Sequence, residues 1–178
     1  TKPEPSQTNS RETIIMSIPI VTVIGKSKSG KTTLIEGLIA GLKGRGYRVA
    51  TVKHHYHAGF EVDQPGKDSW RHAQAGSDHV IIASPDKIAS YRLLERELSL
   101  PEIAEGITGV DIVLAEGYKR ARQPSIEVAR RERGLELIGD ERYCFAVATD
   151  AQLETDIPQF NLDDSNGIVD LIVERYLG

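Results

Sequence analysis

The stretch GKSKSGKTT, residues 25–33, decides the fold, and it follows the apolar run IPIVTVI at residues 18–24. It matches the pattern G-x-x-x-x-G-K-[S/T] at every fixed position. The apolar run predicts a buried strand that ends at Gly25, and the segment after the pattern predicts an amphipathic helix. A strand, a glycine-rich turn and a helix in this order are typical of a loop that binds nucleotide phosphates.

The spacing of this pattern has a chemical reason. Two glycines let the backbone fold into a ring of N–H groups, and a helix N-terminus adds its positive dipole end. Lys31 is then expected to bridge the β- and γ-phosphates as a catalytic group, and the Thr32 hydroxyl to ligate Mg²⁺. We assign the whole stretch to nucleotide binding: Gly25, Lys26, Ser27, Lys28, Ser29, Gly30, Lys31, Thr32 and Thr33. The alternative is a surface turn rich in serine and lysine.

Two further lysines in the stretch have open roles. Lys26 directly follows the first glycine, as does the lysine that reaches a partner subunit's nucleotide in some dimeric ATPases. Lys26 and Lys28 can equally be solvated cations near a polyanion, and the Ser-Lys-Ser that follows favours this second interpretation.

The segment 31–43 places its apolar residues on one helical face. These residues are Leu34, Ile35, Leu38, Ile39 and Leu42. Gly37 and Gly41 weaken a helix, so we expect them to permit close packing against the sheet.

Strands and helices alternate along the rest of the chain. Predicted strands are residues 48–53, 78–83, 87–93, 111–115 and 142–149, and predicted helices are 68–75, 165–177 and one that begins at Ser99. The alternating segment 125–130 predicts an edge strand. The expected fold class is α/β of the P-loop NTPase type, with a mainly parallel sheet flanked by helices and an antiparallel edge. Residues 1–15 are predicted to be a disordered tail, and residues 16–178 a single domain.

Composition narrows the function. The net charge of −4 argues against a protein that coats nucleic acid. No apolar run approaches the ~18–20 residues of a membrane span, so no membrane partner is expected. The single cysteine, Cys144, lies in an apolar run and is expected to be a buried thiol in a reducing compartment, which points to the cytoplasm.

Two carboxylates are candidates for catalysis and metal binding. Glu116 ends the apolar strand 111–115, where an acid can hold Mg²⁺ or orient a water molecule. Asp63 begins Asp-Gln-Pro-Gly, which fits the D-x-x-G pattern that senses the γ-phosphate. The predicted catalytic residues are Lys31, Glu116 and Asp63, and the predicted Mg²⁺ ligands are Thr32, Glu116 and Asp63. A polar strand end and a solvated loop are the alternatives.

The loop 53–69 is long and polar, and such loops in compact domains are usually functional. With the basic segment after Glu116, it is expected to contact phosphates or a partner through Lys53, His54, His55, His57, Lys67, Asp68 and Lys119. A metal site at the histidines and a merely solvated loop remain open. Arg120 and Arg122 would add positive charge at the same end of the sheet, unless they form a solvated charge run.

Base recognition has one candidate. The chain lacks N-K-x-D, and Thr149-Asp150 follows a predicted core strand where a guanine reader would lie. Asp150 could accept hydrogen bonds from guanine N1 and N2, or it could simply form a turn.

Together these segments resemble a known family. GKSKSGKTTLIEGLI, VKHHYH, DQPGKDSWRHAQAG and DIVLAEGYK, in this order and spacing, are similar to the MobB family of molybdopterin-guanine dinucleotide biosynthesis adapter proteins. The resemblance spans roughly residues 18–176. Lys26-Ser27-Lys28 is more highly charged than in many members, which concerns the details of phosphate contact.

The resemblance implies a GTP- and Mg²⁺-binding protein that hydrolyses GTP slowly at most and usually forms a homodimer. It implies a molybdenum cofactor guanylyltransferase as partner, which joins GMP to molybdopterin, with molybdopterin or an apo-molybdoenzyme as further partners. It maps Gly25 to Thr33 onto the GTP-phosphate loop, Glu116 onto the acid after the core strand, and the second polar loop onto His54, His55, Asp63, Lys67 and Asp68. A P-loop small-molecule kinase and a structural dimer module with an inactive loop are the alternatives.

Overall fold

The computed structural model describes residues 17–57 and 59–178, so the predicted tail at residues 1–15 lies outside the described residues. The strands are β1 (Ile20–Gly25), β2 (Val49–Lys53), β3 (His79–Ala83), β4 (Ile88–Arg92), β5 (Ile112–Glu116), β6 (Ser125–Ala129), β7 (Cys144–Thr149) and β8 (Gln159–Asn161). The α-helices are α1 (Lys31–Gly44), α2 (Asp68–Gln74), α3 (Leu100–Glu105) and α4 (Ser165–Ile172). A 3₁₀ turn at Arg131–Arg133 and a π-helical segment at Val173–Leu177 complete the elements.

Six strands form one sheet in the order β2-β5-β1-β6-β7-β8, and every neighbouring pair is parallel. β1 lies between β5 and β6, and the chain crosses to one side of β1 and later to the other. Ligands of open α/β sheets bind beyond the carboxyl ends of strands at such a reversal of strand order. The fold class predicted from the sequence, α/β of the P-loop NTPase type, is therefore confirmed.

The prediction of an edge strand at residues 125–130 is wrong. β6 pairs with β1 on one side and β7 on the other, and all five of its residues are buried. The alternation of apolar and polar residues in this segment was misleading, because the polar Glu127 is buried as well. Its carboxylate accepts hydrogen bonds from the N–H groups of Ile138 (2.5 Å) and Gly139 (3.0 Å). A buried carboxylate needs such donors, and this loop supplies them.

The antiparallel element is a separate sheet. Among the described residues, β3 and β4 pair only with each other, with Val80 opposite Tyr91 and Ile82 opposite Ala89. This hairpin is called the β3–β4 hairpin below.

Helix α1 packs against α4, and this contact explains its glycines. A Cβ on Gly37 would lie 2.7 Å from the Cβ of Ser165, and one on Gly41 would lie 2.9 Å from a methyl of Val169. The expectation that these glycines face the sheet is wrong, because they permit close approach of a second helix.

In the C-terminal half, two sequence predictions can be compared with the structure, and one strand was not predicted. Cys144 is buried in β7, and burial raises the pKa of its thiol, as expected for a structural cysteine. The predicted helix 165–177 is present, but it widens into π-helical geometry from Val173. The sequence prediction missed β8, a short strand of only three residues.

Within residues 17–57 and 59–178, no helix has the length and apolar character needed to cross a membrane.

Candidate functional site

The glycine-rich loop, residues 25–33, joins β1 to α1 at the carboxyl edge of the sheet. Gly25 has a φ of +142°, and a Cβ there would lie 2.4 Å from the carbonyl oxygen of Val128. Gly30 has a φ of +105° and precedes the first residue of α1. Both glycines are therefore required by the backbone, the first by close approach to β6 and both by conformation.

Lys31 folds back over this loop. Its Nζ donates hydrogen bonds to the carbonyl oxygens of Gly25 (3.1 Å) and Lys26 (2.8 Å). Desolvation lowers the pKa of Lys31, with Lys53 acting in the same direction and Glu116 opposing both. The ammonium is thus held at the position where it can neutralise a phosphate.

Glu116 and Thr32 meet beside Lys31. The Thr32 hydroxyl donates to Glu116 Oε2 over 3.3 Å, and Lys53 Nζ lies 3.4 Å from the same oxygen. A hydroxyl and a carboxylate in contact are oxygen ligands of the type that Mg²⁺ prefers. The structure therefore brings together two of the three predicted Mg²⁺ ligands.

The loop borders a cavity of about 410 Å³, called the first cavity. It is lined by Ser27, Lys28, Ser29, Gly30, Lys31, Thr32, Thr33, Leu34, Glu116, Val128, Arg130 and Leu162. The structure thus places seven consecutive residues of the predicted nucleotide site, from Ser27 to Thr33, around one space together with Glu116.

Lys26 and Lys28 separate in the structure. Lys26 forms an ion pair with Glu136, in the loop that follows β6, whereas Lys28 lines the first cavity with a φ of +60°. Of the two, Lys28 is the lysine placed to meet a bound anion.

Asp63 lies elsewhere. Its carboxylate accepts hydrogen bonds from the Tyr91 hydroxyl (3.1 Å) and the Gln64 N–H (2.8 Å), and hydrogen bonding to Ser69 contributes most to lowering the pKa of Asp63. Asp63 thereby ties its loop to the β3–β4 hairpin and to α2. Its assignment to catalysis and to Mg²⁺ stays a prediction.

The histidines of the polar loop 53–69 lie in two different environments. His54 Nε2 lies 2.8 Å from Glu97 Oε1, and the His54 ring packs near those of Tyr56 and Tyr118. His55 Nδ1 lies 2.9 Å from the carbonyl oxygen of His57. In the described part of the chain, no three His, Cys, Asp or Glu side chains gather as a metal site, so the histidine cluster gains no structural support as one.

Lys67 and Asp68 lie at the start of α2. Lys67 is its N-cap residue, and Asp68 is its first helical residue, 3.7 Å from Arg71 in an exposed ion pair. Helix α2 begins two residues after Gly66, and the side chains of Lys67 and Asp68 are both exposed.

Asp150 follows β7 and lines a separate small cavity of about 320 Å³ with Thr149, Gln152 and Asn161. Its Oδ1 accepts a hydrogen bond from the Arg131 N–H over 2.8 Å. Asn161 lines this cavity and Leu162, the next residue, lines the first cavity, so both cavities reach the end of β8.

Sequence reasoning missed Arg130. It directly follows β6 and lines the first cavity, with a guanidinium nitrogen 3.8 Å from where a Cβ on Gly30 would sit. Its buried Nε has no hydrogen-bond partner among the described residues. The available signal was its place at the end of β6, but the assignment of 125–130 to a sheet edge concealed it.

Comparison with known proteins shows the family of this chain. The family model described as "Molybdopterin guanine dinucleotide synthesis protein B" matches residues 20–150. The chain is 39% identical over 157 residues to the molybdopterin-guanine dinucleotide biosynthesis adapter protein of Haemophilus influenzae, covering 87% of this chain and 88% of the relative. It is 35% identical over 164 residues to the protein of the same name from Escherichia coli, covering 88% and 93%.

Solved structures give the same result. A crystal structure of molybdopterin-guanine biosynthesis protein B matches with a TM-score of 0.68 at 31% identity, over 87% of this chain and 98% of that chain. The crystal structure of Bacillus subtilis MobB matches with a TM-score of 0.70 at 27% identity, over 89% and 98%. The chain belongs to the MobB family, the molybdopterin-guanine dinucleotide synthesis proteins B.

Proposed function

We propose that this protein is a GTP-binding adapter that assists the attachment of GMP to molybdopterin in the biosynthesis of the guanine dinucleotide form of the molybdenum cofactor. Family membership supports a role in this pathway. The single observation that supports nucleotide binding is the contact of the Thr32 hydroxyl with the Glu116 carboxylate, beside Lys31. Thr32 belongs to the loop whose Gly25 approaches β6. Its partner is a molybdenum cofactor guanylyltransferase, in the cytoplasm, with molybdopterin or an apo-molybdoenzyme also in contact.

Each group has a role in binding. Lys31 and the N–H groups of the glycine-rich loop hold the β- and γ-phosphates. Thr32 and Glu116 would hold Mg²⁺, which supplies charge neutralisation between these phosphates. Arg130 adds a second cation on the β6 side of the same cavity. Lys28 adds a third at its mouth.

Guanine is the base that the chain suits best. Asp150 stands at the carboxyl end of β7, and hydrogen bonding to Arg131 fixes one carboxylate oxygen. A carboxylate held in this way can accept from guanine N1–H and N2–H, whereas adenine presents no such pair of donors. The two cavities are lined by the consecutive residues Asn161 and Leu162, which supports one nucleotide reaching both.

Slow hydrolysis at most is expected from the same residues. Phosphoryl transfer relies on positioning and on charge placed around the transferred group. Glu116 is already shared by Thr32 and Lys53, so it serves the metal rather than an attacking water molecule. The kinase alternative would need rapid transfer to an acceptor.

Calorimetry tests the proposal. With Mg²⁺ present, the wild type should bind GTP at least tenfold more tightly than ATP, and Lys31→Ala should weaken GTP binding at least tenfold, because a charge-assisted hydrogen bond is worth about 1.5–3 kcal/mol. Lys43→Ala, at the other end of α1, is the matched control and should bind like the wild type.

Three results would contradict the parts of the proposal separately. Equal or tighter binding of ATP would overturn the choice of guanine. Unchanged GTP binding by Lys31→Ala would overturn the site itself. Rapid release of γ-phosphate to an added small-molecule acceptor would favour the kinase.

A further inference from the structure

A second cavity, of about 800 Å³, lies among the segments that follow β2 and β5 and the start of α3. Its volume lies in the range of small-molecule sites, about 300–1,000 Å³. Leu98, Leu100 and Pro101 line one part of it, and the segment that follows β5 lines another. This second cavity is larger than the first, and the proposed function does not use it.

Three rings cluster in its wall. The centroids of His54 and Tyr56 lie 4.4 Å apart, and those of His54 and Tyr118 lie 4.7 Å apart. Tyr56 is 66% exposed, so one large aromatic face remains open beside the cluster. Aromatic faces of this kind stack against flat heterocycles.

The backbone is bent to place these rings. Gly117 has a φ of +92°, and Tyr118 has a φ of +56°, which is uncommon for a residue with a side chain. A Cβ at Gly117 would lie 3.2 Å from the Cβ of His54, so only glycine lets the two loops meet this closely. Strained residues that the surroundings hold in place concentrate at binding sites.

Polar groups of the cluster are still available. The buried Nδ1 of His54 has no hydrogen-bond partner among the described residues. Burial and Glu97 raise the pKa of Tyr118, so its hydroxyl keeps its proton at neutral pH and can donate. The Tyr118 hydroxyl can therefore donate to the edge of a heterocyclic ring, whereas His54 Nδ1 is buried.

Three cations lie along the same cavity: Lys119, Arg120 and Arg122. None of them takes part in a salt bridge within residues 17–57 and 59–178. The one carboxylate in the lining, Glu97, is already engaged by His54. The lining is therefore net positive, and arginine is well suited to bind phosphate through paired N–H groups.

The two cavities share the end of β5. Glu116 lines the first cavity, and Tyr118, two residues later, lines the second. The His54 N–H donates to the Glu116 carbonyl over 3.0 Å, which fixes the aromatic cluster to the strand that carries the proposed Mg²⁺ ligand. The two cavities are therefore lined by parts of the same short segment, residues 116–118.

We propose that the second cavity binds a flat heteroaromatic compound that carries a phosphate, with the ring against Tyr56 and Tyr118 and the phosphate on Arg120 and Arg122. The inference rests on the proposed function in that molybdopterin carries a phosphate and a fused heterocycle whose pyrimidine ring is flat. It assigns such a compound to its own site, apart from the nucleotide.

Titration with flavin mononucleotide, a fluorescent probe with a flat ring and one phosphate, tests the proposal on the full chain. We expect saturable quenching by the wild type and a dissociation constant at least tenfold higher for Arg120→Gln/Arg122→Gln. Riboflavin, which lacks the phosphate, should bind the wild type at least tenfold more weakly and should not distinguish the two proteins. Tyr56→Ser should weaken both probes, because it removes the exposed ring.

The matched control is Lys43→Gln/Lys87→Gln, which removes the same charge far from the cavity and should change flavin mononucleotide affinity less than twofold. Equal affinity of the arginine variant and this control would overturn the proposal. Loss of probe binding in Lys31→Ala, or its displacement by GTP and Mg²⁺, would place the probe on the glycine-rich loop and also overturn it. Retained probe binding in a protein that fails to bind GTP would contradict only the proposed function.

Discussion

At the scale of single residues, the first cavity depends on charged and polar side chains from three different strand ends. Lys31 and Thr32 come from the loop after β1, Glu116 from β5, and Arg130 from the end of β6. Arg130 follows β6 and Glu116 ends β5, the two strands that flank β1, and both residues line this cavity. An anion in this space would meet positive charge from both Lys31 and Arg130.

We therefore predict that Arg130→Ala weakens binding of GTP with Mg²⁺ by about 10–50-fold, since one charge-assisted hydrogen bond contributes about 1.5–3 kcal/mol. Arg130→Lys should recover part of this loss, because it keeps the charge without the planar fork. Calorimetry measures both. Arg133→Ala, in the adjacent 3₁₀ turn, is the control, and an effect of Arg133→Ala as large as that of Arg130→Ala would contradict a specific role.

At the scale of elements, the contact between α1 and α4 holds the helix that carries the glycine-rich loop. Leu38 and Leu42 of α1 and Ile168 and Val169 of α4 are fully buried in one cluster with the sheet. The glycines of α1 set how closely the two helices approach, because a Cβ on Gly37 would lie only 2.7 Å from the Cβ of Ser165.

Replacement of the glycines of α1 by alanine should thus have opposite signs at two positions. Gly37→Ala should lower the free energy of unfolding by about 1–2 kcal/mol, because its Cβ would overlap Ser165 by more than the helix gains. Gly44→Ala has nothing within 4 Å of the new Cβ and should raise it by up to about 1 kcal/mol, the difference in helix propensity. Urea unfolding gives both values, and equal effects at the two positions would contradict the packing explanation.

At the scale of the whole molecule, the β3–β4 hairpin exposes apolar side chains that the rest of the described chain does not cover. Ile81 is 55% exposed and Ile88 71% exposed, and the pairing register places them on one face of the hairpin. Uncovered apolar faces and unpaired strand edges are typical of surfaces that associate. This hairpin is the surface on which we propose that the homodimer forms.

We expect Ile81→Gln/Ile88→Gln to raise the dissociation constant of the dimer at least tenfold, as measured by sedimentation across a concentration series. The reason is the loss of apolar area at the proposed interface. Ile138→Gln, a partly exposed isoleucine elsewhere, is the control. A wild type that sediments as a monomer at every concentration, or a double variant that still dimerises like the wild type, would contradict the homodimer at this surface.

Sequence alone determined the elements whose signals are local. The glycine-rich loop between a strand and a helix, the acid at the end of β5 and the buried thiol of Cys144 were all read correctly, because chain spacing and apolar periodicity encode them. The α/β class followed from the alternation of strands and helices. The assignments of function to Asp63 and Asp150 stay predictions.

Only the tertiary structure decided which residues meet. Strand order is set by pairings between segments far apart in the chain, so the sequence could not reveal that β6 lies beside β1, that Arg130 therefore faces Gly30, or that Gly37 meets Ser165. The polar Glu127 made β6 look like an edge strand with one face in water. Its carboxylate is buried because its hydrogen-bond donors come from a loop more than ten residues away, which a local pattern does not show. Local patterns record what a residue prefers, and long-range packing decides which neighbours satisfy it.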